Sequence, residues 1–323
     1  MSFSNMHSKS VQTVTASVVI AFACLYFFWG STYAAIRIGA ETMPTLLLAG
    51  PRFLISGVIM LIWCRFRGLR ILLPARTMGM LLLLGILLLG TGHIGLVYAE
   101  KYISSGLCSL CYAVTPLFVA LLESGLPNGE PISFRGWAGI LLGIGGLAVM
   151  LAPSLHAGLG GNSVVLFSVA ALFGGAFSWA AGSVVSRHVR LQVNILVAAA
   201  WQMLFAGIFN SLLAVISGDC KGYTPTLSAV LAVAYLVTFG SLVGYTAFIY
   251  LLEHVPVAKV MSYTYVNPVV AVLLGMILLH ERPARSEYAG MAVIVVAVFL
   301  MTTAKVKNKI PNDDATQRLK TAE

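Results

Sequence analysis

The chain has 323 residues, of which 59% are hydrophobic and only 10% are charged, with 31 glycines and a net charge of +9. About 25% of the residues of a soluble domain are charged, and a soluble monomer of this size needs a polar surface that this composition cannot supply. The composition also excludes disordered and disulfide-stapled chains. It predicts an all-α, polytopic membrane protein without a soluble domain.

Apolar runs long enough to cross a bilayer, about 20 residues each, recur along the whole chain. We predict ten transmembrane helices joined by short loops, at residues 15–37, 44–64, 78–99, 103–122, 134–151, 163–186, 193–217, 226–252, 257–278 and 288–304. The first run is too long for a signal peptide and comparable runs follow it, so we expect it to be retained. Polar tails at residues 1–14 and 305–323 remain at the two ends.

Lysine and arginine predict the orientation of these helices. With the N-terminus inside, fourteen of the twenty basic residues fall in cytoplasmic segments and five in outer segments. Basic residues of short loops stay in the cytoplasm. The bias therefore predicts that both termini are cytoplasmic, and it explains the positive net charge without nucleic acid as a partner.

The two halves of the chain align with each other at an offset of 150 to 152 residues. The matched positions include Trp29 with Trp179, Arg37 with Arg187, Gly57 with Gly207, Tyr98 with Tyr250 and Pro116 with Pro268. We therefore predict a first repeat at residues 15–152 and a second at 162–304. Because each repeat holds five predicted helices, an odd number, the second must cross the membrane in the opposite sense. Inverted repeats are the layout of carriers that open a central site to either side alternately.

Several motifs resemble one family of transporters. They are the stretch Trp29 to Tyr33 with Arg37, Arg52 in the second predicted helix, the turn from Ala99 to Gly106, Ser178-Trp179 with Gly182-Ser183, and Tyr263 to Pro268. In these motifs the chain resembles the EamA family of the drug/metabolite transporter superfamily. The resemblance implies ten helices in two EamA repeats, a location in the bacterial inner membrane, and export of a small organic solute.

Arg52 is the one charged residue that we place near the middle of a predicted helix. Polar residues inside the membrane are costly, which makes each of them a functional candidate. Arg52 could bind a carboxylate or phosphate of the substrate. Alternatively, it could be structural and bind carbonyls that Pro51 leaves free.

Pro116 and Pro268 occupy matched positions in the fourth and ninth predicted helices. A proline removes a backbone hydrogen bond and bends a helix, and a matched pair of interrupted helices points to a transport site. We therefore predict hinges at both prolines. Among the polar residues around them we expect Tyr112, Tyr263 and Asn267 to contact the substrate, although such residues can also merely hold helices together.

Aromatic and polar positions at matched places complete the predicted binding site. Trp29 and Tyr33 share one face of the first helix, and Trp179 occupies the position in the sixth helix that matches Trp29. Such residues suit a flat or moderately apolar solute, although core packing is an equal alternative. Three further residues are predicted to line the cavity because they are polar and matched between the halves: His93 with Tyr245, and Gln202 at the position of Arg52.

We expect a secondary transporter that exports amino acids, metabolites or drug-like compounds by alternating access. An importer or antiporter of sugars or nucleotide-linked metabolites is the alternative. The sequence contains no catalytic constellation, no phosphate-binding loop and no metal-ligand spacing. We therefore predict no enzyme activity, cofactor or metal. The expected partners are a small-molecule substrate and the lipid bilayer, with the protein a monomer or a homodimer. Because His93 is the only group expected to titrate inside the membrane, we predict facilitated or exchange transport with at most a modest proton dependence.

Overall fold

The computed structural model describes residues 16–126, 163–189 and 191–303, together with parts of 134–149. Throughout these residues the regular structure is helical. The described part of 134–149, which belongs to the fifth predicted helix, is helical as well. The predicted tails and the connection between the repeats lie outside the described residues. The remaining helices are α1 (Ala16–Thr42), α2 (Thr45–Phe66), α3 (Ala75–Glu100), α4 (Ser105–Tyr112), α5 (Thr115–Ser124), α6 (Ser163–Val189), α7 (Ile195–Ser217), α8 (Leu227–His254), α9 (Val257–Val260), α10 (Tyr263–Leu278) and α11 (Arg285–Thr303).

Six of these helices are long and apolar enough to cross a membrane: α1, α2, α3, α6, α7 and α8. Shorter apolar helices cover Thr115–Ser124, Val266–Leu278 and Tyr288–Ala297. In hydrocarbon each backbone polar group must find its hydrogen bond inside the protein, and a helix satisfies all of them locally. The protein is therefore a polytopic helical membrane protein, as predicted, and the count of ten spans remains a prediction.

The two predicted hinges differ in the structure. The fourth predicted helix is interrupted at Ala113 and Val114, directly before Pro116, so that α4 and α5 are separate helices. By contrast, α10 continues through Pro268, and its interruption lies earlier, at Met261 and Ser262. Neighbouring helices can stabilise a membrane helix that contains proline, and the hinges at Pro116 and Pro268 stay predictions.

Helices α3 and α8 change from α-helical to π-helical winding near their middles. The wide turns cover Ile86–Thr91 in α3 and Leu236–Tyr245 in α8, which are matched positions of the two repeats. Helix α1 has a similar turn at Leu25–Trp29. A π-helical turn shifts the residues that follow it around the helix axis, and such turns are frequent at functional sites. Here they set the directions of the side chains that meet at the centre of the protein.

Helices α2 and α7 cross at the two glycines that the sequence repeat matches. A Cβ atom on Gly57 would lie 2.5 Å from the backbone nitrogen of Leu204, and one on Gly207 would lie still closer to the backbone nitrogen of Leu54. Small residues let membrane helices approach to backbone contact. The two contacts are reciprocal, because Leu54 and Leu204 are themselves separated by the repeat offset.

Two arginines at matched positions make matched bonds at the helix ends. Arg37 donates to the backbone carbonyl of Glu100, and to that of Ile103 at 3.3 Å. Arg187 donates to the carbonyls of Leu252 and Glu253, at 3.0 and 3.2 Å. Each arginine thus joins the end of the first helix of its repeat to the end of the third helix of that repeat.

Replacing Gly207 by alanine should destabilise the fold. The added Cβ would push α2 and α7 apart, and such overpacking costs about 1–3 kcal/mol. Gly174 is the matched control, because a Cβ there meets no atom within 4 Å, and Gly→Ala in an open helix position gains up to about 1 kcal/mol. Thermal unfolding in detergent compares the two variants. Equal unfolding temperatures for Gly207→Ala and Gly174→Ala would contradict the close crossing.

Candidate functional site

Helices from both repeats enclose one small cavity near the middle of the protein, which we call the central cavity. Nine of the ten residues predicted to bind substrate line it: Trp29, Tyr33, Arg52, His93, Tyr112, Trp179, Tyr245, Tyr263 and Asn267. Thr32, Phe53, Leu89, Leu96 and Gly240 complete the lining. Its volume is about 50 Å³, and one water needs about 10–15 Å³. The cavity thus has room for a few waters in this conformation.

Aromatic rings form one side of the central cavity. Trp29 and Trp179, a pair matched by the sequence repeat, meet edge to face with ring centroids 5.4 Å apart. Tyr263 meets Trp29 in the same way at 5.1 Å, and Phe248 contacts both tryptophans at 5.1 and 5.2 Å. Edge-to-face pairs are favourable arrangements of aromatic rings. They hold a rigid apolar surface beside the cavity.

Arg52 supplies the positive charge of the cavity and is only 3% exposed. Its Nε donates to the hydroxyl of Ser241 at 3.0 Å, and its Nη1 lies 2.7 Å from Nε2 of His93. Neither partner is one of the backbone carbonyls that the sequence analysis considered. A guanidinium can only donate hydrogen bonds, so Nε2 of His93 accepts here, and the ring is neutral with its proton on Nδ1.

The π-helical turn of α8 brings backbone close to these side chains. The carbonyl of Gly240 accepts a hydrogen bond from Nε1 of Trp29 at 2.9 Å. A Cβ on Gly240 would lie 2.6 Å from Nη2 of Arg52, so only glycine leaves room for the guanidinium. On the first repeat, the hydroxyl of Tyr112 donates to the carbonyl of Gly92 at 3.0 Å. Both repeats thus position cavity residues through backbone contacts.

Three buried polar atoms on the cavity lining have no hydrogen-bond partner in the described part of the chain. Within the described residues, Nε1 of Trp179, the hydroxyl of Tyr263 and Oδ1 of Asn267 are buried without a hydrogen-bond partner of acceptable geometry. Buried polar groups are normally hydrogen-bonded, and each exception needs an explanation. Polar atoms left without partners in a cavity are groups that a bound solute or water can satisfy.

Gln202 is the one predicted binding residue that does not line the central cavity. Its side-chain oxygen accepts a hydrogen bond from the hydroxyl of Tyr245. It faces a second and larger space of about 650 Å³, which we call the vestibule. The vestibule lies at the end of the helices that the charge bias assigns to the cytoplasm, and its lining includes Leu84, Arg187, Asn194, Ala198 and Glu253. The Tyr245–Gln202 pair therefore lies between the vestibule and the central cavity.

Comparison with known proteins assigns the chain to a family. The EamA-like transporter family matches it twice, over residues 16–152 and 166–303. This chain belongs to the EamA-like transporter family. Because the family consists of membrane transporters, the expectation that the chain is no enzyme is confirmed, as are the two repeats.

Relatives of this EamA-like transporter come from bacteria and plants. It is 37% identical over 286 residues to YedA of Escherichia coli (strain K12), described as an inner membrane transporter, covering 88% of this chain and 90% of YedA. It is 28% identical to the transporter YvbV of Bacillus subtilis (strain 168), covering 93% of this chain and 96% of YvbV. The chloroplastic WAT1-related protein At3g02690 of Arabidopsis thaliana is 29% identical, with 85% of this chain and 67% of that protein covered. These relatives support a multi-pass inner membrane protein.

A solved structure supports the fold. A protein of known crystal structure with 22% sequence identity matches with a TM-score of 0.67, covering 89% of this chain and 97% of that one. At this identity the match shows a shared fold.

Sequence reasoning missed one buried group of the EamA-like transporter, the carboxylate of Glu100. The sequence analysis found no acidic residue in the interior of a predicted helix, and Glu100 does lie at the end of α3. The structure nevertheless buries it completely, and neither of its carboxylate oxygens has a hydrogen-bond partner among the described residues. By contrast, Glu281 accepts hydrogen bonds from the backbone nitrogen of Ser105 at 3.1 Å and from its hydroxyl at 2.7 Å. No sequence signal separates these two acids, because burial at a helix end depends on packing between helices.

The two acids should respond differently to the same neutral substitution. Glu281→Gln weakens charge-assisted bonds to Ser105 and should destabilise the protein by about 1–2 kcal/mol. Glu100→Gln removes no side-chain hydrogen bond to the described residues and relieves the cost of burying an acid that lacks hydrogen bonds, so stability should be unchanged or higher. Thermal unfolding in detergent measures both. Greater destabilisation by Glu100→Gln than by Glu281→Gln would contradict the contacts described.

Proposed function

We propose that this EamA-like transporter exports small organic solutes by alternating access, with the central cavity as the substrate site. The observation that carries the proposal is the position of this cavity at the contact between the two repeats, where rocking of one repeat against the other changes its access. Its lining suits a solute with an apolar body and a few polar groups, the usual composition of small-molecule sites.

The vestibule provides the path by which a solute reaches that site. It extends from the helix ends assigned to the cytoplasm inward to Gln202. At the opposite end Arg37 binds the carbonyls of Glu100 and Ile103, and Glu281 binds Ser105. We infer that the conformation is closed to the outside and separated from the cytoplasm mainly by the Tyr245–Gln202 pair. Loading from the cytoplasm supports export.

Import or antiport of sugars or nucleotide-linked metabolites is the alternative. A nucleotide-linked metabolite carries several anionic groups, whereas Arg52 is the only Lys or Arg among the described residues that line the central cavity. This lining therefore favours the smaller and less charged solutes of the main proposal.

Cysteine labelling tests the inner barrier. In a protein lacking Cys24, Cys64, Cys108, Cys111 and Cys220, iodoacetamide should label Ala198→Cys of the vestibule rapidly and Leu89→Cys of the central cavity slowly. Adding Gln202→Ala removes the hydrogen bond from Tyr245, worth about 1 kcal/mol net, and should raise labelling at position 89 roughly fivefold. The rate at position 198 is the control and should not change. If the barrier lies elsewhere, iodoacetamide should still label position 89 slowly in the protein that carries Gln202→Ala.

Coupling to protons is expected to be weak. Because Arg52 keeps its proton at all accessible pH values, His93 is the cavity group through which a modest proton dependence would pass. A solute identified by thermal shift among amino acids, metabolites and toxic amphiphiles should leave loaded proteoliposomes down its own gradient. An imposed pH gradient should not concentrate it. Strong proton-driven accumulation that survives His93→Asn would overturn facilitated or exchange transport.

A further inference from the structure

The charge on Arg52 has no counter-charge within the described part of the protein. Its hydrogen-bond partners are His93 and Ser241, and no ion pair within 4 Å involves it there. His93 is neutral because its Nε2 accepts from the guanidinium, and a serine hydroxyl carries no charge. Neither partner therefore balances the positive charge.

Part of the guanidinium is left for a ligand. Of its five N–H donors, the Nε–H is used by Ser241 and one on Nη1 by His93. Nη2 makes no hydrogen bond to the described residues, and it lies beside the backbone of Gly240, where a Cβ would come within 2.6 Å of it. A carboxylate matches the geometry of a guanidinium through two parallel hydrogen bonds, as does the larger phosphate group.

The surroundings of Arg52 select against other charges. The described lining residues include no acidic side chain, so no carboxylate among them would offset the repulsion between the guanidinium and a cationic solute. Trp29, Trp179 and Tyr263 provide the apolar surface on which a flat or apolar body can pack. The matched residues of the second repeat, Gln202 and Tyr245, are neutral, so the cavity has one cation and not two.

We propose that the substrate of the central cavity is an organic monoanion, with its carboxylate bound by Arg52 and its planar or apolar body packed against the two tryptophans. This inference rests on the proposed function and narrows its substrate class. Amines are excluded by charge, and neutral analogues bind more weakly because they lose the charge-assisted bonds.

Three probes with the same ring and different charge test the proposal: phenylacetate, phenylacetamide and phenethylamine. Binding to the purified protein is followed by thermal shift and by tryptophan fluorescence, since two of the five tryptophans line the cavity. Phenylacetate should bind at least tenfold more tightly than phenylacetamide, and phenethylamine should not bind. In proteoliposomes, efflux of phenylacetate should respond to the membrane potential, because a single negative charge moves.

Variants identify the residue responsible. Arg52→Gln, the residue of the matched position 202, should lower affinity for phenylacetate at least tenfold and leave phenylacetamide unchanged. Arg52→Lys keeps the charge and should retain part of the preference for phenylacetate over phenylacetamide. This variant keeps the test valid if Arg52→Gln does not fold. Arg76→Gln makes the same charge change at an exposed arginine and should bind like the unmodified protein.

The outcomes separate this inference from the proposed function. Equal or tighter binding of phenethylamine, or no binding of phenylacetate, overturns the monoanion. Suppose instead that a neutral or cationic solute is exported and that labelling of Leu89→Cys in the central cavity blocks its export. That result would support the proposed transport function and contradict the proposed substrate class. If labelling at position 89 has no effect on the transport of any solute, the site itself is wrong.

Discussion

The close crossing of α2 and α7 is the contact on which the centre of the molecule depends. Gly57 and Gly207 allow the two backbones to touch at Leu204 and Leu54, and side chains there would separate the helices. Arg52 and Gln202 each precede the glycine of their own helix by five residues, about one and a half turns at 3.6 residues per turn. Because the reciprocal contacts make the two helices antiparallel, the two polar residues lie on opposite sides of the crossing, Arg52 toward the central cavity and Gln202 toward the vestibule. Because lipid offers no hydrophobic gain for helix association, the close approach itself must hold this pair together.

Around this crossing the two repeats build the same arrangement with different chemistry. In the first repeat Arg52 binds His93, and in the second Tyr245 binds Gln202. Both pairs join the second helix of a repeat to its third. Tyr245 is the last residue of the π-helical turn in α8, and His93 lies just after the π-helical turn in α3. The charged pair lines the central cavity, whereas the neutral pair lies between the cavity and the vestibule. In the proposed function, the pair of Arg52 and His93 binds the substrate and the pair of Tyr245 and Gln202 forms the inner barrier.

Sequence patterns predicted most of the cavity because it is built from residues that share helix faces. Trp29 with Tyr33, and Tyr263 with Asn267, are four residues apart, and the repeat offset led from one half to the other. The place of Gln202 at the vestibule was not predictable, because its matched position says nothing about its hydrogen bond to Tyr245. The interruption at Met261 and Ser262 was not predictable either, because a proline weakens a helix without determining where the helix is interrupted. The burial of Glu100 depends on how α1, α3 and α4 meet, and no local pattern contains that information.

The free-energy cost of burying the charge of Arg52 is best understood by comparison with Gln202, the residue at the matched position of the second repeat. A charged side chain inside a membrane protein is expensive, and a buried charge is expensive unless an opposite charge balances it. The Tyr245–Gln202 pair shows that this chain can hold two helices together at the matched position with neutral groups alone. Packing of α2 against α3 therefore does not require a cation at position 52. Sequences depart from the more stable solution mainly at functional sites, and here an anion entering the cavity would supply the missing counter-charge. The protein would then be most stable with its substrate bound. Substrate binding would therefore favour the conformation with a closed central cavity, and from that conformation the cavity can open to either side of the membrane.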